Sequence, residues 1–238
     1  SEWDLLLVET SYDARFGYSI AGGDFNGDGY ADLAIGAPNA NDKGMVKIFF
    51  GGSSLDDSCD YVVYGEGTYD FFGSAIAMEG DLNGDGYDDL VIGAYGYNNL
   101  GALNAGRVYV YFGSSSPDTV PDLIITGEYA NDYLGASVST GGDLDGDGFD
   151  DLYVGSYGSD IGDSSEVGKV FVFMGGPTMD AVADLVLWSG ATHNERFGIS
   201  VSAGPRDSSS STVILVGAEQ NDEGGTDAGK AYAFRGSQ

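Results

Sequence analysis

The sequence predicts an all-β fold: a β-propeller of four-stranded antiparallel blades, four blades in this chain, closed by an N-terminal strand. Three observations predict it. One segment recurs four times, apolar residues alternate or run in short blocks without a helical stripe, and glycine is in excess at 40 of 238 residues. An average protein carries about 7% glycine. These glycines follow no collagen period and lie among Val, Ile, Tyr and Phe, the pattern of short strands joined by tight turns.

The repeats set the architecture. They read RFGYSIAGGDFNGDGYADLAIGAP from Arg15, FFGSAIAMEGDLNGDGYDDLVIGAY from Phe71, YLGASVSTGGDLDGDGFDDLYVGSY from Tyr133 and RFGISVSAGPRDSSSSTVILVGAE from Arg196. The residue before the first Gly recurs at Phe16, Phe72, Leu134 and Phe197, spaced by 56, 62 and 63. Each unit continues into MVKIFFGG, GRVYVYFG, GKVFVFMGG or GKAYAFRG. In the second unit the strands are expected near Gly73–Met78, Asp89–Ala94, Arg107–Phe112 and Asp122–Thr126. Such a unit cannot bury both faces alone, so units stack, radially as a propeller or linearly as a solenoid.

The ends favour the ring. The first three units finish in DYVVYG, DLIITG and DLVLWSG, whereas the fourth stops at Arg235-Gly236. The opening SEWDLLLVETS holds Asp4–Glu9, which resembles the missing strand. Adding it to the last blade would remove an exposed edge. The reading is one domain over residues 1–238, with repeats at about 11–65, 66–127, 128–190 and 191–238 and strand 3–9 completing the last.

Charge narrows the partners. Asp and Glu number 38 against 9 Lys and Arg, a net −29. That field repels nucleic acid and anionic membrane surfaces. Cys59 is the single cysteine, so no internal disulfide or thiolate metal site is expected. No apolar run approaches the roughly 20 residues of a membrane span. The chain shows no signal peptide and does not begin with Met, so it reads as a mature form or a piece of something longer.

Three loops carry the chemistry: Asp24–Asp32, Asp81–Asp89 and Asp143–Asp151. The first places oxygen side chains at Asp24, Asn26, Asp28 and Asp32, with the Tyr30 carbonyl between. The second repeats this with Asp81, Asn83, Asp85, the Tyr87 carbonyl and Asp89. The third uses Asp143, Asp145, Asp147, the Phe149 carbonyl and Asp151. Alternate residues of a curled loop point inward, and Ca²⁺ takes 6–8 oxygens at about 2.3–2.6 Å. Packed carboxylates repel one another unless a cation intervenes. The EF-hand shares this logic but has a Glu at position 12. Here that position is Ile35, Ile92 or Val154, so these are not EF-hands, and Asp32, Asp89 and Asp151 are expected to bind directly. The fourth repeat places Pro205, Asp207, Ser209, Ser211 and Val213 where ligands should be, so no calcium is expected there. Its strand Thr212–Gly217 keeps its apolar character.

Other residues read more plainly. His193 is the sole histidine and is expected in a surface loop; Cys59 is expected as a free thiol, and Trp3 and Trp188 as packing. No catalytic residue and no organic cofactor site is assigned. The loops Asn39–Lys43, Tyr97–Asn104, Asp160–Glu166 and Glu219–Thr226 occupy equivalent positions and so gather on one face, where a partner is expected.

These repeats resemble FG-GAP repeats, as in the propeller of integrin α-subunits. The likeness rests on Phe16-Gly17 with Gly36-Ala37-Pro38, Phe72-Gly73 with Gly93-Ala94-Tyr95, Leu134-Gly135 with Gly155-Ser156-Tyr157, and Phe197-Gly198 with Gly217-Ala218-Glu219. It implies four-stranded blades, calcium in the hairpin loops between strands one and two that mainly rigidifies the blade, and an extracellular or cell-surface setting. Integrin propellers have seven repeats, so a four-bladed ring, a fragment of seven and two chains pairing into a larger ring all stay open. FG-GAP repeats also occur in lectins and beside polysaccharide-degrading enzymes. The expected function is non-catalytic, calcium-stabilised recognition or adhesion toward a protein or glycan ligand, within a larger surface protein or alone. The alternatives are a lectin, or an accessory or catalytic domain acting on polysaccharides.

Overall fold

The structure, a computed structural model, describes residues 6–54, 56–162, 164–190, 194–205 and 212–236. Four antiparallel meanders follow one another along the chain. Blade 1 holds β1 (Ser19–Gly23), β2 (Asp32–Ala37), β3 (Met45–Phe49) and β4 (Tyr61–Tyr64), with one 3-10 turn at Ala40–Asp42. Blade 2 holds β5 (Ala75–Ala77), β6 (Leu90–Ala94), β7 (Arg107–Tyr111) and β8 (Leu123–Thr126). Blade 3 holds β9 (Ser137–Thr140), β10 (Leu152–Ser156), β11 (Lys169–Phe173) and β12 (Leu185–Leu187). Blade 4 holds β13 (Phe197–Pro205), β14 (Thr212–Ala218) and β15 (Lys230–Arg235). The strands expected in the second repeat and at Thr212–Gly217 are where the sequence places them, within two residues.

Burial explains why the second strand of blade 2 is apolar at every position. All five residues of β6 are buried. Leu90 and Ile92 pack toward blade 1, while Val91 packs toward blade 3. A strand covered on both faces needs no polar side, so it reads as a continuous apolar run. The cores therefore lie between blades. Phe72, Met78 and Tyr109 join Val46 and Ile48 across blades 1 and 2; Leu134, Leu152 and Phe173 join Val108 and Val110 across blades 2 and 3. Phe197, Ile214 and Val216 join Tyr153, Val170 and Val172 across blades 3 and 4. The outer strands are thinner: Ile124, Leu185 and Val186 are exposed.

The inner strands touch in series, β1 to β5, β5 to β9 and β9 to β13. All four line one cavity of about 200 Å³. That is the axial arrangement of a propeller, not the open stack of a solenoid. No contact of that extent returns from β13 to β1. Blade 4 has three strands among the described residues. Residues 1–5, where the closing strand would begin, lie outside the described residues, and Leu6–Glu9 join no ladder. Glu9 pairs with Lys47 of β3 at 2.6 Å. Among the described residues no helix is long and apolar enough to cross a membrane.

Candidate functional site

Each Asp loop is the hairpin between the first and second strands of its blade. In a meander the connections alternate ends, so the Asp loops share one face of the molecule, and the loops between strands two and three share the opposite face. Local hydrogen bonds curl all three loops alike. Asp24 accepts from the amides of Asp28 at 3.0 Å and Gly29 at 2.9 Å. Asp81 accepts from Gly84, Asp85 and Gly86, and Asp143 from Gly146, Asp147 and Gly148. The third position, Asn26, Asn83 or Asp145, accepts from the fifth residue's amide. The fifth, Asp28, Asp85 or Asp147, accepts from the amide of Tyr30, Tyr87 or Phe149.

The third loop brings carboxylate oxygens of Asp143, Asp145 and Asp147 within 4.8 Å of one another. Loops one and two carry Asn at the middle position, and there Asn26 Nδ2 donates to Asp28 and Asn83 Nδ2 to Asp85. No backbone amide donates to the carbonyls of Tyr30, Tyr87 and Phe149 among the described residues.

The ninth-position acids sit deeper than the sequence alone shows. Asp32, Asp89 and Asp151 are buried. Each joins its loop to the end of the third strand. Asp32 accepts from Asn26 and Gly51, Asp89 from Leu82 and Gly113, and Asp151 from Leu144 and Gly175. Asp151 thus stands outside the trio of its own loop. Burial raises all three above the ordinary carboxylate range. Asp89 is pushed up to about 7 and Asp151 to about 6, and neighbouring loop carboxylates add to the effect.

The loops also lock onto each other. The Tyr87 ring covers Gly27 of loop one, and the Phe149 ring covers Gly84 of loop two. No ion pair among the described residues reaches a loop carboxylate. The clustered carboxylates of Asp143, Asp145 and Asp147, with no ion pair to a protein cation among the described residues, fit a hard divalent ion. The expected ligand positions Pro205, Asp207, Ser209 and Ser211 of the fourth repeat lie outside the described residues, apart from the backbone of Pro205.

The opposite face holds a feature that sequence reasoning missed. Phe71 stacks on Tyr95 at 5.1 Å, Tyr95 meets Tyr133 edge-on at 6.2 Å, and Tyr133 stacks on Tyr157 at 4.8 Å. The Arg196 guanidinium lies 5.6 Å from the Tyr157 ring. These half-buried rings form a stripe over blades 2 to 4. Its signal was the aromatic that follows Gly-Ala or Gly-Ser at Tyr95 and Tyr157.

Of the remaining expectations, His193 and Trp3 lie outside the described residues. Cys59 is a free, half-buried thiol that donates to Tyr61 O at 3.1 Å, and burial raises it. Trp188 follows β12 and is exposed instead of packed.

The FG-GAP repeat model matches residues 16–49, 72–111 and 134–173. Integrin alpha-5 of Xenopus laevis is 35% identical over 220 residues, covering 88% of this chain and 20% of that protein. Human integrin alpha-8 is 31% identical over 186 residues and chicken integrin alpha-V 36% over 166. The chain spans about a fifth or less of the length of these relatives. Three matched repeats on three matching sheets, with relatives that align across most of the chain, make this an integrin-like FG-GAP repeat protein of β-propeller fold.

Proposed function

We propose that this chain is a non-catalytic, calcium-binding propeller domain that serves recognition or adhesion outside the cell. The observation that carries the reading is the threefold recurrence of one carboxylate net with no basic partner. Three Ca²⁺ ions would be held: by Asp24, Asn26, Asp28, Asp32 and the Tyr30 carbonyl; by Asp81, Asn83, Asp85, Asp89 and the Tyr87 carbonyl; and by Asp143, Asp145, Asp147, Asp151 and the Phe149 carbonyl. The fourth repeat would hold none. The ion supplies the positive charge these oxygens lack. The side-chain oxygens hold the loop curled by accepting hydrogen bonds from backbone amides, and Asp32, Asp89 and Asp151 tie it to the third strand.

The ligand would be a protein or a glycan met on the face opposite the Asp loops, along the Phe71 to Tyr157 stripe. The net −29 argues against nucleic acid and against direct membrane insertion and favours a partner with positive charge. Thermal unfolding in excess EDTA and then in about 1 mM Ca²⁺, with calorimetric counting, tests the metal reading. A calcium-dependent rise with three equivalents supports it; no shift and no binding overturns it.

A second reading, action on a polysaccharide, has one observation of its own. Glu128 and Asp132 line a cavity of about 340 Å³ with Tyr129, Lys169 and Phe171. Burial raises Asp132 to about 6. Glycan turnover abolished by Asp132→Asn would favour that reading.

A further inference from the structure

A groove runs between the outer strand of one blade and the third strand of the next, and its copies at blades 1–2 and 2–3 differ in chemistry. Between blades 1 and 2, Tyr64 and Glu66 line a cavity of about 220 Å³ with Tyr109 and Tyr111. Arg107, the first residue of β7, reaches across to that Glu66 at 3.0 Å. The same guanidinium donates to Thr126 Oγ1 at 3.0 Å and lies 3.5 Å from the centre of the Tyr97 ring. In blade 4 the cation at the same place, Lys230, pairs with Glu223.

Between blades 2 and 3 the pair is present but unmade. Glu128 and Lys169 hold the places of Glu66 and Arg107 in their repeats. Among the described residues no ion pair joins them, and none reaches Lys169 from elsewhere. Both instead line a cavity of about 340 Å³, together with Asp132. Lys169 is half-buried, so its charge is partly withdrawn from water without a protein partner. Asp132 is fixed in place by Ser156, whose hydroxyl donates to its backbone oxygen at 2.8 Å. The remaining exchanges enlarge the cavity and strip it of polar groups. Phe171 and Phe173 replace Tyr109 and Tyr111, removing two hydroxyls, and Ala181 and Ala183 replace Thr119 and Pro121. The floor, with buried Ile125 and Leu134, is apolar.

From this unmade pair above an apolar floor we infer that the groove between blades 2 and 3 binds a small zwitterion with an apolar body, namely an α-amino acid with an aromatic or branched aliphatic side chain. Its carboxylate meets Lys169, its ammonium meets Asp132 and Glu128, and its side chain rests on Phe171, Phe173 and Leu134. The charges select the class. An apolar ligand leaves Lys169 unpaired, a plain acid faces two carboxylates, and a plain amine faces the lysine. A ligand that carries both charges answers both walls. The size agrees, since small-molecule sites measure about 300–1,000 Å³ and set a few polar groups into an apolar lining. The site shares no residue with the Asp loops and does not rest on the calcium reading. It is the cavity of the polysaccharide reading, and the two part on the ligand.

The test is titration calorimetry on the 238-residue chain in about 1 mM Ca²⁺, with L-phenylalanine and L-leucine as probes. Phenethylamine, hydrocinnamate and a neutral oligosaccharide serve as comparisons. The amino acids are expected to bind at a single site, and the amine or the acid alone about tenfold or more weakly, since each gives up one charged hydrogen bond. Lys169→Met should weaken L-phenylalanine to the level of phenethylamine while leaving phenethylamine itself undiminished, which a damaged fold would not do. Asp132→Asn should weaken the amino acid and spare hydrocinnamate. Ala181→Trp, at an exposed position on the rim, should fill the cavity and abolish all binding with an unchanged circular dichroism spectrum. No heat with either amino acid, phenethylamine binding as tightly as L-phenylalanine, or amino-acid binding untouched by Lys169→Met would each overturn the inference. Binding of the oligosaccharide in place of the amino acids would overturn it too, in favour of the polysaccharide reading.

Discussion

The backbone amide of Asp24 donates to Asp88 Oδ2 at 2.7 Å although the two residues belong to neighbouring blades. The bond is returned: Asp88 N donates to Asp24 O at 3.2 Å. Asp81 and Asp150 repeat the pair at 3.1 and 3.2 Å. The first residue of one loop is therefore positioned by the next loop, one residue before that loop's own buried acid.

Asp88→Ala is expected to loosen the first loop without touching its ligands. A hydrogen bond to a charged group contributes about 1.5–3 kcal/mol. At about 2–4 °C per kcal/mol for a chain of this size, the loss shows as a lower unfolding midpoint. The calcium titration should lose affinity at one site and keep its stoichiometry of three.

Calcium itself should raise the midpoint in proportion to the logarithm of its excess over the dissociation constant. Asp147→Ala removes one member of the Asp143, Asp145 and Asp147 trio. The calorimetric count should fall from three to two, with the other sites retained. An unchanged count would remove the third loop from the metal reading.

The metal-free protein should respond to pH in the opposite sense to the calcium-loaded one. Folded Asp89 and Asp151 hold their protons up to about 7 and 6, against 3.8 for an unperturbed carboxyl. Between those values the folded chain binds more protons than the unfolded one, so stability falls as pH rises. In EDTA the midpoint should be highest near pH 4 and drop through pH 6–7. Calcium favours the ionised carboxylates and should reverse the slope. Asp89→Asn should flatten the metal-free profile.

Gly84 and Gly146 separate backbone strain from blade contact. Both have positive φ, +80° and +84°. An added Cβ at Gly84 meets the Phe149 ring at 2.2 Å, whereas Gly146 has open space. Both alanine variants carry the left-handed penalty of about 1–2 kcal/mol. Gly84→Ala should cost more, and the difference in unfolding free energy measures the ring against the preceding loop.

The local code carried much of this. The period of the Phe-Gly or Leu-Gly step, the apolar second strands and the D-x-[ND]-x-D-G spacing are short-range patterns. Strand placement and loop curvature follow from bonds made within a few residues, so β5 to β8 fell where the alternation puts them. What stayed hidden depends on neighbours in space. Asp88 and Asp150 look like spare acids until the next blade is packed beside them. Tyr95 and Tyr133 look like scattered aromatics until two blades bring them within 6.2 Å.

By itself, then, the sequence determined a repeated four-stranded β-unit with an acidic hairpin in three of its four copies, because backbone alternation, turn glycines and side-chain spacing are local. Only the tertiary structure decided which faces of those units are buried. Val91 and Leu215 occupy the same place in their repeats, yet one is wholly covered and the other is 52% exposed, because burial depends on whether another blade stands beside the strand.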